Sequence, residues 1–136
     1  MLKLVLEVSE NNFNQKDKKY IQDILNEAEN KFLNLMEKDI KVYKENSKNE
    51  FANKENLKKL IEVPLEIYIT STEIINLKNK FKNKVKNTVK ADYEIALDNL
   101  RTAKRGAKTI IESNYNFFDD HSQYIKNIRS KLESYN

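Results

Sequence analysis

The stretch IINLKNKFKNKVKNTVKADYEIALDNLRTAKRGAKTIIESNYNFF, residues 74–118, never loses helical register. Its apolar side chains at Ile74, Leu77, Phe81, Val85, Val89, Tyr93, Ala96, Leu100, Ala103, Ala107, Ile110, Ile111, Tyr115 and Phe118 recur in steps of three and four. That spacing lays them on one slowly drifting stripe and predicts a helix. Thr70-Ser71-Thr72-Glu73 has the pattern of a capping box opening it. An unbroken helix from 73 to 118 spans on the order of 65–70 Å, longer than a compact domain of this chain length. It therefore projects as a coiled-coil-like arm, breaks, or is covered by a second protomer. Gly106 is its one weak point, at about 1 kcal/mol against Ala.

The same stretch is basic. Lys78, Lys80, Lys82, Lys84, Lys86, Lys90, Arg101, Lys104, Arg105 and Lys108 face only Asp92, Glu94 and Asp98. Arg101, Lys104, Arg105 and Lys108 stand at i, i+3, i+4 and i+7 and line one strip. The six upstream lysines wrap more of the circumference. These ten cations are the candidate binding residues, suited to an acidic protein surface or to phosphates. Lys78 and Lys82 flank the stripe at Leu77, Phe81 and Val85, which marks 77–90 as an exposed, partner-facing arm. Phe81 keeps the register of the stripe and reads as core rather than as a base-stacking platform.

Upstream of the long helix, Leu2, Leu4, Leu6 and Val8 alternate with Lys3, Val5 and Glu7. Leu65, Ile67 and Ile69 alternate with Glu66, Tyr68 and Thr70 after Pro64, the only proline. Both runs have the period of a half-buried strand, and Pro64 is a helix breaker. Between them, Asn14 and Asp17 form a capping box before a helical stripe from Tyr20 to Tyr43. That helix is expected to end near Asn46–Asn49, with 44–56 a mobile connection and a short helix near Leu57, Leu60 and Ile61 capped by Asn53. Asp120 and Gln123 are the expected caps of a last helix carrying Tyr124, Ile125, Ile128, Leu132 and Tyr135. The expected architecture is a single helix-rich domain over 1–136, mostly α with a minor β component (α+β), in the order β-α-(α)-β-α-α.

Composition narrows the chemistry. One Gly and one Pro in 136 residues is far below the usual share of about 7% and 5%. Gly-rich phosphate loops and barrels or sandwiches full of tight turns are thereby excluded. Zero Cys removes disulfides and thiolate sites and suits a reducing compartment. The apolar N-terminal stretch is too short for a signal peptide. No run approaches the roughly 18 apolar residues of a membrane span. A cytoplasmic protein with no membrane association is expected. The net charge of +4 is uneven. Residues 1–68 hold 12 basic and 13 acidic side chains, while 69–136 hold 13 and 8.

Two constellations invite a catalytic or metal reading. His121, the only histidine, sits in Phe118-Asp119-Asp120-His121-Ser122. Adjacent residues on one turn rarely converge on one ion, so a helix corner is the better reading. Glu94 and Asp98 continue into Arg101 and Arg105, a ladder of ion pairs rather than an acid–base couple. No catalytic residue, metal ligand or cofactor is expected. The sequence thus points to a non-enzymatic binding protein, of the adaptor, inhibitor or immunity type and suited to a phage or mobile-element origin. It would present the basic helix to a protein partner with an acidic surface. The alternatives are a nucleic-acid-binding accessory protein using the same face on phosphates, and a structural helical homo-oligomer, a homodimer through the 74–118 stripe.

Overall fold

Asn14 Oδ1 accepts from the backbone N–H of Asp17 at 2.7 Å, the N-cap that opens α2 (Gln15–Lys48). The computed structural model describes residues 1–136. It is built from α1 (Leu2–Val8), α2, α3 (Lys54–Asn76), a single turn α4 (Lys78–Phe81), α5 (Lys90–Asn114) and α6 (Gln123–Ser134). Short 3₁₀ turns lie at Glu10–Asn12, Asn87–Val89 and Tyr115–Phe117.

The helices α2 and α3 form a long antiparallel hairpin closed by Asn49–Asn53, with Asn53 Oδ1 capping α3 through the N–H of Asn56 at 3.1 Å. Buried Asn46 ties that turn together by donating to Val42 O at 3.0 Å and Asn56 O at 2.9 Å. The central helix is α3, packed by α2 on one side and α5 on the other. One apolar cluster joins Leu2, Val5, Phe13, Ile21, Leu25, Ile74, Leu77 and Phe81 where α1 closes one end of the bundle. A second joins Ile61, Leu65, Tyr68, Ala107, Ile111, Ile125, Ile128 and Leu132 where α6 closes the other.

No strand is present, which overturns the α+β expectation at both proposed strands. Residues 2–8 are helical and bury Leu2, Val5 and Leu6, an i, i+3, i+4 set, while Leu4 is half exposed. A short run this rich in apolar residues satisfies both periods, and with no second strand to pair with, the helix is the solution that fills its backbone hydrogen bonds. Residues 65–70 lie inside α3, which runs through Pro64. Proline removes the N–H that would serve Leu60 O. Asn114 Nδ2 from α5 donates to that carbonyl at 2.9 Å, so the break is mended from a neighbouring helix.

The helix expected over 73–118 is not continuous. Thr70-Ser71-Thr72-Glu73 lies within α3 rather than at a start, and the Thr72 hydroxyl donates back to Tyr68 O at 2.8 Å. The chain leaves helical geometry at Lys82 (ψ 124°) and Asn83 (φ 61°). It re-enters through the 3₁₀ turn into α5. Segment 77–90 is no projecting arm. The Lys86 N–H donates to Ser9 Oγ at 3.0 Å and Asn12 Nδ2 to Lys84 O at 2.8 Å, so it is pinned over the α1–α2 junction. Phe81 is core, edge-on to Phe13 at 5.5 Å. Much of the stripe from Ile74 to Ile111 packs into the interior of the chain, although Ala103 and Ile110 stay exposed. α6 takes its N-cap from Ser122, whose Oγ accepts from Ile125 N at 3.3 Å; Asp120 instead pairs with Arg129 at 2.6 Å.

Candidate functional site

Breaking the long helix divides the ten candidate cations into two groups. Lys80 and Lys84 converge on Asp17 at 3.0 and 3.6 Å. Lys84 also lies over the Phe13 ring and Lys80 over Tyr20. On α5, Arg101 pairs with Asp98 at 2.7 Å and Lys108 reaches Glu112 at 3.8 Å. Lys104 serves the fold. Its Nζ donates to Tyr135 O at 2.8 Å and sits 4.8 Å from the Tyr68 ring centre, holding the end of α6. Burial, then the nearby Lys108, lower its pKa from the ordinary lysine value. Lys78, Lys82, Lys86, Lys90 and Arg105 make no ion pair. Arg101, Lys104, Arg105 and Lys108 keep their strip along α5, while the lysines of 78–86 lie outside that helix and do not extend it.

The other candidates stay apart as well. His121 is exposed, and its backbone N–H donates to Asp119 Oδ1 at 2.8 Å. Glu94 and Asp98 face solvent on α5. No three His, Asp or Glu side chains converge in a metal-binding set.

What converges is a polar row from each arm of the α2–α3 hairpin. Glu27, Lys31, Asn34 and Lys38 follow one another at steps of three and four along α2. Glu62, Glu66, Thr70 and Glu73 do the same on α3. Antiparallel packing sets the rows face to face. They line two clefts of about 1060 and 800 Å³ that share Glu27 and Lys31. The larger is closed by Tyr124, Asn127, Ser130 and Lys131 of α6, the smaller by Tyr20 and Lys80.

Lys31 pairs with Glu66 across the hairpin at 2.7 Å. Its ammonium is held charged, with the pKa raised chiefly by the hydrogen bond it donates to Glu66 and further by the charges of Glu66, Glu73 and Glu27, against a desolvation cost. Thr70 is buried, lines the smaller cleft, and its hydroxyl has no partner. A buried hydroxyl without a partner forfeits about 1–3 kcal/mol, and this one has almost no surface open to the cleft. Tyr124 is held protonated by burial, and its hydroxyl donates to Lys58 O at 3.3 Å.

None of these groups stands out as a site in the sequence. Reading 65–70 as a strand separates Glu62 from Glu66 and turns Thr70 and Glu66 to one side of a sheet. Only helical register places 62, 66, 70 and 73 on one face. The signal available was Glu27/Lys31 and Glu62/Glu66, two i, i+4 pairs on the flanks of apolar stripes.

No helix is long and apolar enough to cross a membrane. Compared with known proteins, residues 2–134 match the family model described as formiminotransferase-cyclodeaminase. No curated protein and no solved structure matches the chain.

Proposed function

The chain belongs to the formiminotransferase-cyclodeaminase family, and from that premise we propose that it is a small-molecule enzyme of the cyclodeaminase type, working in the cleft between α2 and α3. The family's description is that of an enzyme, which supports this reading. Of the two activities in the description, ring closure with loss of ammonia asks less of a protein than group transfer to a second substrate. The attacking nitrogen gives up a proton and the departing nitrogen takes one. Carboxylates poised beside a fixed ammonium meet that demand.

The observation that carries the reading is the Lys31–Glu66 pair with Glu27 and Glu73 around it. In this assignment Glu66 and Glu27 move protons. Lys31 stays charged and orients them. The cysteine-free composition suits a cytoplasmic setting.

The test is ammonia release from formimino-substituted small molecules by the purified chain. Glu66→Gln is expected to lower kcat about 10²–10⁴-fold, the usual worth of a positioned acid or base, with the helical circular dichroism unchanged. A folded chain that releases no ammonia from any such compound sinks the proposal.

A second reading keeps an acidic protein partner, or nucleic acid, on Lys78, Lys82, Lys86, Lys90 and Arg105, which have no ion pair. It predicts binding at low salt that fades steeply as salt rises. A gel shift with mixed nucleic acids and a low-salt pull-down, each repeated with Lys78→Ala and Lys82→Ala, separate it from the enzyme reading.

A further inference from the structure

Residues 77–90 repeat a four-residue unit. It runs Leu77-Lys78-Asn79-Lys80, Phe81-Lys82-Asn83-Lys84 and Val85-Lys86-Asn87-Thr88, and opens once more at Val89-Lys90. The structure gives each position of the unit its own place. The first residue packs inward, with Leu77, Phe81 and Val89 in the core and Val85 against it. The lysines at the fourth position, Lys80 and Lys84, both turn to Asp17. The second and third positions are left to solvent. Lys78, Lys82 and Lys90 are exposed, as are Asn79, Asn83 and Asn87, and Lys86 is half-buried. Not one acid lies between Glu73 and Asp92.

We propose that this corner of the bundle binds the phosphate backbone of a nucleic-acid duplex, lysines on the phosphates and Asn amides on phosphate and sugar oxygens. Folding adds to the patch what the sequence keeps apart. The Asp17 contacts bring the first turns of α2 onto the segment, and exposed Lys16 and Lys19 come with them. The two acids of the α1–α2 junction are already neutralised within the chain, Asp17 by Lys80 and Lys84, and Glu10 by Lys18. Lys16, Lys19, Lys78, Lys82, Lys86 and Lys90 make no ion pair. The patch is also held in place, because Ser9 Oγ accepts from Lys86 N and Asn12 Nδ2 donates to Lys84 O. Binding then costs little ordering entropy.

The chemistry of the surface chooses among the partners of the second reading. Protein interfaces are anchored by Trp, Tyr and Arg and are depleted in lysine. Residues 76–91 carry no Trp, Tyr, Arg or exposed large apolar side chain. The same lack leaves nothing to insert into a lipid surface and no platform on which unpaired bases stack. Arg105, about 22 Å along α5 from Lys90, stands outside the patch. Lys78, Lys82, Lys86 and Lys90 lie outside both clefts, so duplex binding and ammonia release can fail separately.

The test is fluorescence anisotropy of short labelled duplex DNA and duplex RNA of mixed sequence. A Kd of about 10⁻⁴–10⁻⁶ M is expected near physiological salt, whatever the sequence. Six neutralised phosphates give a slope of log affinity on log salt of about −5, and a loss of about 10³-fold between 50 and 200 mM salt. Lys78→Gln with Lys82→Gln is expected to reduce that slope by about two, with helicity unchanged. Lys44→Gln with Lys48→Gln removes the same charge at the far end of α2 and is expected to leave the slope as it was. Binding of either duplex upholds the proposal, and the tighter one names the class of nucleic acid. No binding to either at 50 mM salt overturns it, as does an equal loss from the two pairs of substitutions. So does tighter binding to single strands, to an acidic peptide or to phosphatidylserine vesicles than to both duplexes.

Discussion

Pro64 takes one N–H out of the middle of α3, and Asn114 replaces it on Leu60 O with a side-chain amide at 2.9 Å. Replacing Asn114 by Ala leaves a buried carbonyl unmet. A loss of about 1–2 kcal/mol is expected in urea unfolding, and Asn114→Gln should recover little because the longer chain misplaces the donor. Asp17 has a different kind of leverage. The hydrogen bond from Lys80 holds its carboxyl below the usual range, helped by the charges of Lys80 and Lys84 and by Asn14, against desolvation. A carboxyl whose pKa is depressed on folding adds stability above its unfolded value near 3.8. That stability is lost as pH falls through the lower, folded value. Asp17→Asn should therefore flatten the acid limb of the Tm-against-pH curve below about pH 4 and change little at pH 7 beyond a constant offset. The slope that remains belongs in part to Glu10, held low by Lys18 in the same way.

The α2–α3 turn is built without glycine, although Glu50 (φ 51°) and Phe51 (φ 55°) both occupy the left-handed region. Left-handed backbone costs a side-chain-bearing residue about 1–2 kcal/mol. Phe51 repays it by packing between Tyr43 and Phe117, but exposed Glu50 does not. Glu50→Gly is expected to stabilise the protein by about 0.5–1 kcal/mol after glycine's entropic cost, read as a rise in Tm; a fall in Tm would mean that Glu50 makes a compensating contact. The α4–α5 connection places Asn83 in the same region (φ 61°), where Asn is better tolerated. The expected single helix over 73–118 failed at this corner because polar Lys and Asn residues between Phe81 and Val89 carry helical spacing without resisting a turn. Periodicity records which residues are buried together, and a broken helix folded over α1 buries Phe81 and Val89 as well as a straight one.

Across the bundle, neighbouring residues of α5 divide the two outcomes open to an apolar side chain. Ile111 is fully buried against Ile61 and Ile125, whereas Ile110 is half exposed. Ile111→Ala is expected to cost about 2–5 kcal/mol and Ile110→Ala under 1 kcal/mol, measured by chemical denaturation. Equal losses would contradict the packing of α5 on α3 and α6. Sequence alone determined the long helical runs, the caps at Asn14 and Asn53, and the core register of Phe81, because these depend on neighbours within a few residues. It also determined the basic surplus of the second half, which is a matter of counting. The tertiary structure alone decided that 2–8 and 65–70 are helical, since a short apolar run suits either period until its partners exist. It alone decided that half of the ten cations are spent on Asp17, Asp98, Glu112 and the end of α6. The cleft was hidden for the same reason. Glu27 and Lys31 stand more than thirty residues from Glu66 and Thr70, and only the antiparallel closure of α2 on α3 makes one site of them.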